Sequence, residues 1–187
     1  MTQALATTES RDVDIIAGED LDDFVTFTVG NQLFGIPVLN VQDILTPDKI
    51  AYIPLAPAEV RGSINLRGRI VTVIDMRVRL GMGPKEVPVA ETADDEDATT
   101  IKKPQMSEQQ MGVTVENHNE LYTLLVDGIG DVVSISNDRF DGNPNTLDPA
   151  WRDFASGVYQ LEKKLMVVLD VEKVLDIHTK KPEQQKT

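Results

Sequence analysis

The chain has 187 residues, 41% of them hydrophobic and none of them cysteine, and a formal net charge of −13 at pH 7. Disulfides, iron–sulfur clusters and thiolate zinc sites are therefore excluded, and the acidic balance argues against nucleic acid or an anionic membrane surface as a direct partner. No apolar run reaches the roughly 18 residues of a transmembrane helix, and the N-terminus is polar, so we expect a cytoplasmic protein.

Much of the negative charge lies in two segments that show no hydrophobic period. Residues 1–22 hold six acids against one arginine, and residues 83–111 hold seven acids against three lysines. We predict a disordered acidic tail over 1–22, an inserted acidic surface loop over 83–111 and a polar C-terminal tail over 179–187. The folded domain is then residues 23–178, in two halves of about 23–82 and 112–178.

The first ordered elements are predicted to form a β-hairpin. Phe24–Val29 alternates large with small or polar residues, a turn follows, and Leu33–Val38 returns as the second strand. Apolar residues at Val38, Val41, Ile44 and Leu45 then recur at helical spacing, which predicts a short helical segment or wound turn. Residues 50–53 are predicted as a further short strand.

Residues 60–80 are the most distinctive stretch of the chain. Their pattern indicates a strand, a tight turn at Arg67–Arg69, and the apolar strand Ile70–Ile74, for which we predict burial on both faces. Asp75–Leu80 is predicted to be a helical turn or an exit loop. The same pattern returns without a gap over residues 155–175, where Asp170 takes the place of Asp75.

This repeat indicates an internal duplication. Residues 112–133 likewise parallel the first strands of the chain, and a longer connector over 137–149 separates them from the second copy of the distinctive stretch. Short, turn-bounded strands with little helix predict a mainly β fold of two small barrels or curled sheets. We expect Ile70–Ile74 and Leu165–Leu169 to form the common core that joins the halves.

The paired Asp75 and Asp170 raise the alternative of an aspartyl hydrolase, because two carboxylates across a pseudo-twofold axis can share a proton. That chemistry needs a small hydroxyl residue and a glycine after each aspartate, and neither aspartate has them. We interpret each as a cap of the turn that follows. His118 and His178 lack a third ligand candidate, so we predict a protein that is not an enzyme and holds no metal or other cofactor.

Several motifs together point to a known family. The most specific is the run Gly-x-x-Asn-Leu-Arg-Gly, followed by an apolar strand and an aspartate. The segments concerned are Phe24–Gly30, Phe34–Val38, Val41–Ile44, Arg61–Gly68 and Ile74–Arg77. Over about residues 23–177 the chain resembles the CheW family of chemotaxis coupling proteins.

This resemblance implies an all-β fold of two intertwined, five-stranded SH3-like barrels with short helical segments. It implies an adaptor that links the cytoplasmic tips of methyl-accepting chemoreceptors to the regulatory domain of the histidine kinase CheA, in arrays at the inner membrane face. No small-molecule substrate, nucleic acid or direct membrane contact is expected. A coupling protein of a non-flagellar pathway, such as pilus motility or second-messenger control, is the alternative within the same class.

In the family, a receptor helix lies in an apolar groove between the two barrels. Asp43 stands where the family more often has glutamate, and the acidic loop is longer than usual. Asp43 and Arg67 either form an ion pair that shapes the groove or each meet the receptor directly, and the short reach of Asp43 favours the pair. The residues at matching positions are Val41, Asp43, Gly62, Asn65, Leu66 and Arg67.

Overall fold

The computed structural model describes residues 21–83, 110–142, 147–161 and 164–177. The predictions for most of the acidic tail, for most of the acidic loop, for the C-terminal tail and for His178 lie outside these residues. Two boundaries differ from expectation, since the first strand already includes Leu21 and Asp22 and a later strand begins at Met111.

The described residues form eleven β-strands and three short α-helices. The strands are β1 Leu21–Val29, β2 Gln32–Pro37, β3 Val41–Leu45, β4 Val60–Leu66, β5 Arg69–Asp75, β6 Met111–Asn117, β7 Glu120–Val126, β8 Gly128–Ser136, β9 Phe140–Asp141, β10 Ala155–Gln160 and β11 Leu165–Leu169. The helices are α1 Met76–Arg79, α2 Pro149–Arg152 and α3 Val171–Leu175, with 3-10 turns at Val38–Asn40 and Asn137–Arg139.

The strands form two sheets, and each sheet contains strands from both halves of the chain. One sheet has the order β8-β1-β2-β11-β10-β9, and the other has the order β3-β6-β7-β5-β4. Sequential hairpins pair antiparallel, whereas β11 pairs parallel with β2 and β5 pairs parallel with β7. Strands β5 and β11 therefore join the halves, as the sequence predicts.

The strand order shows the internal duplication directly. Strands β1, β2, β3, β4 and β5 of the first half match β6, β7, β8, β10 and β11 of the second, and α1 matches α3. Strand β3 of the first half pairs with β6 of the second half, and strand β8 of the second half pairs with β1 of the first. This exchange intertwines the two barrels.

A single large cluster of buried apolar residues lies between the sheets and draws on both halves. Its members include Phe27 and Phe34 from β1 and β2, and Val113 and Leu124 from β6 and β7. Because neither half encloses this cluster alone, burial of apolar surface stabilises the halves only together.

Arg79 on α1 is a buried cation whose hydrogen bonds join the two halves. Its Nε donates to the Val174 carbonyl at 2.8 Å, and its Nη2 donates to the carbonyls of Lys173 and Asp176, at the C-terminal end of α3. Burial lowers the pKa of Arg79, and the carboxylate of Glu59 opposes that shift. A guanidinium starts from a pKa so high that it stays charged, so it neutralises the negative end of α3.

The predicted helical segment over residues 38–45 is largely wrong. Only Val38–Asn40 forms a 3-10 turn, and Val41–Leu45 is strand β3. Ile44 stands opposite Val113 in the antiparallel pairing with β6. A strand partner some 70 residues away in the chain has outweighed the local helical spacing.

Two further expectations need correction. In the predicted strand at 50–53, only Ala51 pairs, through an isolated bridge to Ser63. Ile70 is 74% exposed, so the predicted burial on both faces fails at the start of strand β5, whereas it holds at the end of the strand, where Val73 and Ile74 are buried on opposite faces. Ile70 shares a face with the buried Ile74, but it lies next to the turn, beyond the residues of β5 that pair with β7.

The capping interpretation of the two repeated aspartates is confirmed. Asp75 Oδ1 accepts hydrogen bonds from the backbone N–H groups of Arg77 and Val78, and Asp170 Oδ1 accepts one from Lys173. Each carboxylate thus satisfies N–H groups that the first turn of a helix leaves without partners.

Candidate functional site

The candidate site is built on the two-residue turn between β4 and β5. Arg67 and Gly68 both have positive φ, at 52° and 86°, and Leu66 pairs with Arg69 on either side of them. Positive φ at both central positions is the geometry of a type I′ hairpin turn. The Asn65 side chain supports it, since Oδ1 accepts a hydrogen bond from the Gly68 N–H at 2.8 Å.

This turn presents Arg67 to an aspartate on another strand. Arg67 Nη2 lies 2.9 Å from Asp43 Oδ2, and the two side chains are 80% and 24% exposed. Asp43 Oδ1 also accepts from the Ile44 N–H, which fixes the carboxylate. The internal pairing of Asp43 with Arg67 is therefore confirmed.

The ion pair connects opposite edges of one sheet. Asp43 lies on edge strand β3, and Arg67 lies at the tip of the hairpin that contains the other edge strand, β4. An exposed pair of this kind contributes about 0.2–1 kcal/mol to stability, so its main effect is to place charge and shape at this surface.

The remaining predicted site residues support this surface from within. Gly62 is buried with φ 148°, and a Cβ there would lie 2.2 Å from the Ala51 carbonyl oxygen. Leu66 and Val41 are partly buried and pack on two different clusters of core residues. The structure thus brings together Asp43, Asn65 and Arg67, while Val41, Gly62 and Leu66 hold the strands beneath them.

Sequence reasoning missed a shallow pocket beside the turn. Its volume is about 540 Å³, and exposed Ile70 forms part of its wall. The two-residue turn is a signal for one part of it only, since it sets the register that places Ile70 across from Asn65. The pocket is lined by Lys49, Ile50, Ala51, Ser63, Ile64, Asn65 and Ile70.

The described residues contain little that indicates a catalytic or metal-binding site. Within them, no group of three or more histidine, cysteine, aspartate or glutamate residues could hold a metal ion, and no helix is long and apolar enough to cross a membrane. The pKa of Tyr122 is raised mainly by its hydrogen bond to Glu120, and the pKa of Tyr159 is raised mainly by burial.

Intertwined sheets with an exposed, charged turn beside an apolar pocket define a class of protein that acts by binding a partner.

The comparisons with known proteins identify the family. The family model described as the CheW-like domain matches residues 23–178, so this chain belongs to the CheW-like family. Members of this family are adaptors rather than enzymes, and the chain is a chemotaxis coupling adaptor. The aspartyl hydrolase interpretation of Asp75 and Asp170 is accordingly set aside.

Individual relatives agree with this assignment. The chemotaxis protein CheW of Klebsiella aerogenes is 29% identical over 162 residues, which cover 86% of each chain. That of Rhizobium meliloti is 28% identical over 152 residues, covering 81% of this chain and 86% of the relative. The crystal structure of the scaffolding protein TtCheW from Thermoanaerobacter tengcongensis matches with a TM-score of 0.68 at 23% identity, over 86% of this chain and 96% of that one, and supports the all-β, SH3-like fold.

Proposed function

We propose that this adaptor links the cytoplasmic tips of methyl-accepting chemoreceptors to the regulatory domain of the histidine kinase CheA. The receptor tip binds at the surface that Arg67, Asp43 and the β4–β5 turn create. The protein then works in the cytoplasm, within receptor arrays at the inner membrane face. The family match supports the role, and the exposed ion pair is the observation that carries the site.

The geometry of the ion pair suits it to recognition. Arg67 is held in an uncommon backbone conformation at a turn tip and is largely exposed, yet its guanidinium already has a fixed partner. An arginine whose rotamer is fixed in advance loses less conformational entropy when a partner binds. Its unused N–H groups remain able to donate to a carbonyl or carboxylate of the receptor helix.

Charge reversal at Arg67 tests this assignment. Arg67→Glu places two carboxylates together and should weaken binding of a soluble receptor cytoplasmic fragment about tenfold or more, measured by titration calorimetry. Affinity for the CheA regulatory domain should stay within about threefold, because the two partners use different surfaces. Arg139→Glu, at an exposed position on another turn, is the matched control and should leave both affinities unchanged.

Two outcomes contradict the proposal. Equal losses for both partners would mean that receptor and kinase share this surface. Failure of the unaltered chain to bind either partner would remove the coupling role itself.

A further inference from the structure

The pocket beside the turn is continuous with the proposed receptor site. Asn65 lines the pocket and also holds the turn that presents Arg67. Two residues along a strand span about 7 Å, so a partner that touches Arg67 is within reach of the pocket.

The pocket exists because the chain leaves the edge of β4. Ala51 exchanges two backbone hydrogen bonds with Ser63, at 2.8 and 2.9 Å, but the pairing is a single isolated bridge. Lys49 and Ile50 diverge from the strand instead of continuing opposite Asn65. The gap between the diverging segment and β4 is the pocket.

The walls of the pocket are mainly aliphatic, and the charged residue that lines it is a lysine. Ile50, Ile64 and Ile70 supply apolar surface, and Lys49 supplies a cation that pairs with no acid among the described residues. Arg69 precedes Ile70 on the same hairpin and is exposed. In a chain with a net charge of −13, this local positive charge favours an acidic partner.

The pocket has room for side chains of a partner but not for a whole helix or strand. Its volume of about 540 Å³ is enough for one or two aliphatic side chains and their hydration. A helix that lies across the turn presents residues three or four positions apart on one face. One such residue can enter the pocket while its neighbour on the next turn meets Lys49.

We infer that this pocket receives an aliphatic side chain of the receptor helix and that Lys49 pairs with a carboxylate one helical turn away. The inference rests on the proposed function and adds to it the chemistry of the receptor residues. Burial of the exposed Ile70 side chain supplies the apolar part of the affinity, and Lys49 supplies orientation and a faster association rate.

The affinity test uses two variants and two matched controls with a soluble receptor cytoplasmic fragment. Ile70→Thr keeps a β-branched side chain and should weaken binding five- to tenfold, whereas Val132→Thr, at an exposed valine of β8, should change it less than twofold. Lys49→Glu should weaken binding by a similar factor and reduce its dependence on salt, whereas Lys164→Glu should do neither.

A contact test uses the absence of cysteine from the chain. In the variant Ile70→Cys the single thiol should react readily with iodoacetamide, and the receptor fragment should slow that reaction at least fivefold. The thiol of Val132→Cys should react at the same rate with and without the fragment. This readout reports coverage of the pocket even where the affinity changes little.

The outcomes separate the two proposals. If the unaltered chain binds the fragment, but Ile70→Thr binds within twofold of it and the thiol of Ile70→Cys stays reactive, the pocket inference is wrong and the coupling role stands. If the unaltered chain does not bind the fragment, both fail. Protection of the thiol by rising concentrations of the chain itself, without the fragment, would make a second copy the occupant and would also overturn the inference.

Discussion

The β4–β5 and β10–β11 hairpins hold equivalent places in the two sheets, but the sequence gives their tips different charges. Asp43 on β3 meets Arg67 at the tip of the first hairpin. At the equivalent places in the second half the sequence has Asp131 and Glu162, two acids that cannot form such a pair. The duplication therefore repeats the scaffold but not the surface, and the proposed receptor site occurs once.

A second difference between the halves lies at their junction. Arg79 and Val174 are equivalent in the repeat, and the first donates to the carbonyl of the second. The two halves have the same fold, but the arginine that joins them is present in the first half alone. Variants at positions where the two halves differ test what each difference contributes.

The largest effect is expected at Arg79, the cation shared between the halves. Arg79→Met keeps volume but leaves the carbonyls at the end of α3 without donors and Glu59 without its partner. Breaking a buried pair of this kind costs about 3–5 kcal/mol of unfolding free energy. Urea denaturation should show this loss, and Arg139→Met should stay within about 0.5 kcal/mol. A loss below about 1 kcal/mol for Arg79→Met would show that α3 does not depend on the arginine.

The next effect compares the repeated glycines Gly62 and Gly157. A Cβ at Gly62 would meet the Ala51 backbone oxygen, and the φ of 148° there is strained for any residue with a side chain, whereas a Cβ at Gly157 would meet the Phe140 ring and the Asp141 backbone oxygen. Both alanines would crowd a backbone oxygen, but only Gly62 also has a strained positive φ, so Gly62→Ala should cost about 2–4 kcal/mol and Gly157→Ala about half as much. Thermal unfolding of the two variants checks the order, and equal losses would mean that the strained φ contributes nothing.

The smallest stability effect is expected at the ion pair that distinguishes the hairpins. Removing either partner should cost only about 0.2–1 kcal/mol, because Arg67 is largely exposed. Receptor affinity responds differently: Arg67→Asp should reduce it, and the reversal of both residues, Asp43→Arg with Arg67→Asp, should recover part of it. A double-mutant cycle measures this coupling, and additive losses would show that each residue meets the receptor independently of the other.

Local chemistry made the hairpins and caps predictable from the sequence. Asp75 and Asp170 cap the turns that follow them because a carboxylate can reach N–H groups two or three residues ahead. The duplication was visible in the sequence, since it preserves spacing. The ion pair was anticipated through the family resemblance, because nothing between residues 43 and 67 brings their side chains together locally.

What could not be predicted depends on partners remote in sequence. Strand β3 looks helical by spacing and becomes a strand because β6 pairs with it. In the sequence, Ile70 belongs to an apolar run that predicts burial. In the structure its side chain is exposed because the hairpin lies at the rim of the sheet. The pocket likewise requires that the chain leave β4 after a single bridge at Ala51, which no residue pattern indicates.

The exchange of β3 and β8 between the halves also affects how the chain folds during its synthesis. When the ribosome has released the first half, β2 still lacks β11, β3 lacks β6 and β5 lacks β7. Several strand edges and much of the shared apolar cluster then stay exposed until the last strands emerge. The nascent first half is therefore expected to need protection from aggregation. The complete chain is expected to fold late and slowly for its size, since four of the nine strand pairings among the described residues join strands of different halves.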